Sequence, residues 1–208
     1  MCFDSRSSLL AWSLSYSISI YLYNRNRNYD RWNAAFITTF STIQLFEAGI
    51  WASKTNEVMT KTILVALLLQ PTIQSYMGYK YVGSDEPISK AILGTMSFIF
   101  LGMVIWGFKR LWSAKPGQFN SCIGPNGHLV WNDTSTMGQY FLGNKYVIAA
   151  YLAGISVPLL FMKDYRYIPL VMIGITTAIY SITTSSGKEF GSYWCFTAVA
   201  YAIVSLFL

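Results

Sequence analysis

Glu47 stands inside an apolar segment, with Gln44 three positions before it and Trp51 four after. That spacing puts all three on one helical face. An ionised side chain at the centre of a bilayer costs about 3 kcal/mol on insertion scales. Such a group must face a protein interior, be paired or be protonated. Glu47 can therefore serve as a proton or cation site, or as a hydrogen-bonded carboxyl that fixes how helices pack. A second polar set lies further on, where Gln70 precedes Pro71 in the middle of another apolar run and Gln74 follows one turn later. Proline removes a backbone hydrogen bond. The freed carbonyl and two amides could line a polar cavity, as broken helices do in transporters; a kink used only for packing is the alternative.

The thiols and the imidazole form the third set. There are three cysteines, Cys2, Cys122 and Cys195, and one histidine, His128. An odd cysteine count excludes complete intrachain pairing. In an oxidising compartment Cys2 could pair with Cys122 or Cys195. Cys2, His128 and Cys195, with Glu47, could instead hold a metal ion, although no C-x-x-C or H-x-x-x-H spacing supports one. Disulfide-bonded or buried thiols are the simpler reading.

These residues need elements to position them, and composition says which. Of 208 residues, 53% are hydrophobic and 12% charged, about half the charge of a soluble domain. Disorder is excluded by the same figures, and the chain reads as an integral membrane protein. Seven apolar segments are long enough, or nearly so, to cross a bilayer: 8–23, 32–51, 59–79, 89–112, 146–162, 167–184 and 190–208. Runs such as 63–69 and 91–103 are continuously apolar rather than alternating, which argues against a β-barrel. The expected fold is an all-α, seven-transmembrane-helix bundle forming a single domain over 1–208. A loop at 113–144 separates helices four and five, and its Asn126-Gly127 turn signal predicts a small hairpin cap.

Aromatic residues mark the segment ends. Trp32 and Trp51 bracket the second, Tyr76, Tyr79 and Tyr81 close the third, and Tyr165 and Tyr167 open the sixth; all suit membrane interfaces. Arg25, Arg27 and Arg31 follow the first segment, so the positive-inside rule puts the N-terminus and the long loop outside the cytoplasm and the C-terminus inside. Counting basic residues over all loops gives seven against eight, which leaves the first helix to decide. The Asn132-Asp133-Thr134 sequon would then face outside. In this topology Cys2, Cys122, His128, Cys195 and the Glu47 half of the second helix gather near one face. The N-terminus lacks a basic region before its apolar stretch and reads as a retained signal anchor.

Several activities are disfavoured. The last segment has no mid-helix lysine for a retinal Schiff base, and a single histidine is too few for a histidine-rich membrane hydrolase. No Walker, Rossmann or nucleophile-elbow motif occurs. The net charge of +6 is spread over helix ends, where it can meet lipid phosphates; no basic run points to nucleic acid.

Met1-Cys2-Phe3 with a nearby serine, the Gln44-x-x-Glu47-x-x-x-Trp51 helix, Gly127-His128 in the long loop and Ser192-x-Trp194-Cys195-Phe196 near the end occur in that order. Together they resemble an uncharacterised family of small multi-pass membrane proteins from bacteria and from giant viruses of algae and amoebae. Asp4 departs from the usual serine or asparagine there. The resemblance implies no activity; it marks Cys2, Glu47, His128 and Cys195 as motif positions.

Three functions fit these residues. The first is a small ion, proton or solute channel, transporter or binding protein, with Glu47 as the charge-bearing site and Gln44, Gln70, Gln74 and Trp51 around it. The second is a structural or assembly protein of a virion or organelle membrane. The third is an intramembrane metal or thiol enzyme, and the chain leans away from enzymes. No cofactor is expected. The bilayer is the expected partner, with a homo-oligomer or larger assembly open.

Overall fold

The computed structural model describes residues 4–53, 56–82, 86–124, 127–131, 145–163, 167–184 and 197–208. Asp4 opens the first helix: its carboxylate accepts the Ser7 N–H at 2.6 Å, and Ser7 Oγ accepts in turn from the Asp4 N–H. This capping box satisfies backbone donors that the first turn leaves over. α1, Ser5–Arg25, ends where Asn26 turns left-handed at φ 52, a conformation asparagine tolerates. The chain then reverses into α2, Asp30–Ser53. Asn56 caps α3, Glu57–Tyr81, by accepting the Met59 N–H at 3.0 Å, and α3 runs on through Pro71. α4, Pro87–Trp112, starts with proline in its first turn, where the missing N–H costs nothing.

A two-stranded antiparallel hairpin follows. β1, Ser121–Ile123, pairs with β2, Leu129–Trp131, so that Cys122 opposes Val130. α5, Lys145–Ser156, passes directly into a 3-10 segment, Val157–Phe161, at Pro158. α6, Ile168–Thr184, and α7, Thr197–Leu206, complete the described elements. The protein is thus predominantly helical, and the helices lie within or around the apolar segments.

Helices one and two pack antiparallel through small residues. Ser5 Oγ donates to the Ala48 carbonyl at 3.0 Å and Ser19 Oγ to the Ala34 carbonyl at 2.8 Å. Ser8, Ala11 and Ser15, buried on the same face, keep the backbones close. At the α3–α5 crossing, Gly154 is wedged between Phe100 and Pro71; a Cβ there would come 2.7 Å from the Pro71 ring. One continuous core joins these helices with Phe119, Leu129 and Trp131 of the hairpin region.

Polar side chains share the interior with the apolar core, and large apolar side chains lie on the surface. Ser8, Ser15, Ser41, Gln44, Glu47, Gln70, Gln74 and Ser75 are buried, while Leu10, Ile20, Phe98, Ile105, Met172 and Ile179 are exposed. Among the described residues one helix, α4, is long and apolar enough to cross a membrane, with a mean hydropathy of 2.0 over its best window. Only 22% of that window is buried, so α4 is not the central helix of a soluble core. The serine, threonine and glutamine side chains that α1, α2 and α3 turn inward lower their mean hydropathy.

Candidate functional site

Trp32 of α2 bonds Gln74 of α3, and Gly49 lies against Met59. This antiparallel register puts Glu47 at the level of Thr60. Glu47 and Gln44 are both fully buried, and Trp51 is half-buried at the end of the same face. Among the described residues the Trp51 indole N–H has no hydrogen-bond partner.

The level of Thr60 is where the hairpin docks. Thr60 Oγ1 donates to the Asn56 carbonyl at 3.0 Å and meets Ser121 Oγ at 2.6 Å. Glu57 accepts the Gly117 N–H at 2.7 Å and pairs with Lys61 at 2.8 Å. Gly117 holds a φ of 83, which glycine adopts without strain. The Lys61 ammonium and then the Gly117 N–H hold the Glu57 carboxyl below its ordinary pKa. Lys61 also lies 5.8 Å from the centre of the buried Phe119 ring. His128 is buried in the same hairpin, and its carbonyl accepts the Gly124 N–H at 2.7 Å. The hairpin is thus fastened to the first turn of α3, the end of the bundle nearer Glu47.

Gln70 and Gln74 cross-link helices. Gln70 Oε1 accepts from Tyr151 of α5. Gln74 accepts the Trp32 indole N–H at 2.9 Å and donates to the Ile155 carbonyl at 3.2 Å. That carbonyl lies where α5 tightens into the 3-10 segment, and the change of helical pattern frees acceptors there. Gln74 therefore ties α2, α3 and the break in α5 together.

Cys2 and Cys195 lie outside the described residues, as do Trp194 and Phe196, while Cys122 is half-buried on β1. Among the described residues no three His, Cys, Asp or Glu side chains come together as a metal site. A cavity of about 20 Å³ is walled by Phe36, Phe40, Leu159, Leu170, Gly174 and Tyr201 among others. It has room for roughly one water-sized molecule, and Glu47 is not in its wall.

Two polar contacts escaped the sequence reading. Arg25, read there only as a topology signal, makes a two-pronged ion pair with Asp30, with both bonds at 2.7 Å. Its remaining nitrogen donates to the Leu206 carbonyl at 2.7 Å, so one guanidinium closes the α1–α2 turn and caps the end of α7. The signal was present as an arginine and an aspartate flanking an asparagine-rich turn, but the partner 181 positions away leaves no local trace. Likewise the Tyr201 hydroxyl donates to Asn33 at 2.9 Å.

The sequence matches no family model, and comparison with curated proteins and with solved structures finds no match.

Proposed function

We propose that the chain is a seven-helix, multi-pass membrane protein that takes up a proton or a small cation at Glu47. The observation carrying this reading is a carboxyl side chain fully buried in the last third of α2, inside a bundle whose exposed side chains include many large apolar groups. Hydrocarbon around the bundle would make an ionised Glu47 costly and hence selective for a counter-charge. The N-terminus and hairpin face away from the cytoplasm in this reading. Gln44, one turn away and also buried, supplies a neutral neighbour. The occluded position of Glu47 suits a binding or carrier state rather than an open pore.

The test is cation and proton flux in proteoliposomes. Wild-type protein should dissipate an imposed gradient, and Glu47→Gln, which keeps size and hydrogen bonding, should lower the rate at least about tenfold while elution volume and helix content stay unchanged. Equal rates would remove Glu47 as the site.

A structural role in a membrane assembly is favoured by a different observation: Gln70 and Gln74 act as braces between helices. That reading expects no flux from wild type, and loss of folding in Gln74→Leu.

A further inference from the structure

The last turn of α4 carries Lys109 and Arg110 between Trp106 and Trp112. Of residues 105–112 only Gly107 and Leu111 are buried, and they anchor the turn to the bundle. Both tryptophans are about half exposed, at 49% and 48%. The Arg110 guanidinium lies 5.8 Å from the centre of the Trp106 ring, and Phe108 stacks on Trp112 at 4.4 Å. Two acids of the described residues at this end, Asp4 and Glu57, are already engaged. Asp4 caps α1 through Ser7, and Glu57 holds Lys61 and Gly117. Among the described residues neither Lys109 nor Arg110 has an ion-pair partner.

A helix C-terminus favours cations through its dipole, which accounts for basic residues here but not for exposed indoles around them. Indoles favour the depth at which headgroups meet hydrocarbon. Guanidinium forks match phosphate oxygens, and an ammonium adds a point charge. We propose that this turn of α4 is a binding surface for the headgroup of an anionic phospholipid. Arg110 and Lys109 hold the phosphate, and Trp106 and Trp112 rest at the glycerol level. The assignment rests on the membrane reading above. A choline headgroup carries its own cation and competes with the two basic side chains, so phosphatidylglycerol is favoured over phosphatidylcholine.

The experiment uses full-length protein in nanodiscs of equimolar phosphatidylcholine and phosphatidylglycerol, with retained lipids counted by native mass spectrometry. Wild type should retain phosphatidylglycerol preferentially. K109Q/R110Q should lose about tenfold of that preference, while K80Q/K90Q, at the other end of the bundle, keeps it. Salt provides a second reading that needs no variant: raising it from about 0.05 M to about 1 M should abolish the wild-type preference. A preference unchanged in K109Q/R110Q or in high salt would overturn the proposal. Wild type that enters nanodiscs with no lipid preference overturns it too, while leaving the membrane reading standing. Failure of wild type to enter a bilayer would overturn the membrane reading and the proposal with it.

Discussion

Arg25 and Asp30 show how this chain handles charge that folding buries. The carboxylate is 2% exposed and the guanidinium 11%; Asp30 also accepts the Arg27 N–H at 2.8 Å. Removing one member of so buried a pair strands the other. Asp30→Asn is therefore expected to destabilise the fold by about 3 kcal/mol, measured as a lower midpoint in chemical denaturation, and to loosen the end of α7, measured by faster amide exchange there. Gln74 carries a comparable load with no charge. Gln74→Leu leaves the Trp32 indole and the Ile155 carbonyl unpaired, at a cost of about 3 kcal/mol; a cost below about 1 kcal/mol would show that the brace is dispensable. Residue-level chemistry was only partly legible in advance. Glu47, Gln70 and Gln74 stand out because polar groups are rare in apolar runs. The partners of the two glutamines do not, because Tyr151 and Ile155 are brought to them by tertiary structure rather than by spacing.

At the scale of elements, two glycines of similar appearance in sequence behave oppositely. Gly154 has Phe100 and Pro71 against it, whereas a Cβ at Gly174 meets no described atom within 4 Å. Gly154→Ala should cost about 1–3 kcal/mol by overpacking, and Gly174→Ala should stabilise by about 1 kcal/mol through helix propensity. Thermal or denaturant midpoints of the two variants would separate them, and shifts of the same sign would contradict this account of the helix contacts. The hairpin has its own dependence on pH. Glu57 has a depressed pKa in the folded protein. Its contribution is therefore present above the ordinary carboxylate range and lost as pH falls through the depressed value. Acidification should loosen the Gly117 contact, seen as faster exchange around Phe119, and Glu57→Gln should remove most of that pH dependence. Helix positions were well marked by hydropathy: the expected segments at 32–51, 59–79 and 89–112 sit inside α2, α3 and α4. The 3-10 tail of α5 was less visible, since a proline near a helix end can stop, kink or tighten the helix with the same local sequence.

The whole molecule joins these parts through an apolar core that also encloses hydroxyls, amides and Glu47, with further large apolar side chains on the outer faces of α1, α4 and α6. Composition announced those apolar faces by its scarcity of charge. Sequence could not say which buried polar groups only brace helices and which could also exchange a proton or cation, because both kinds look alike in an apolar run. The proposed function puts Glu47 in the second group. The most direct measurement is proton and cation flux through proteoliposomes containing wild-type or Glu47→Gln protein at equal incorporation. Dissipation of the gradient by wild type, and its loss in folded Glu47→Gln, is the expected result. Equal flux from both proteins, or none from correctly folded wild type, would contradict it.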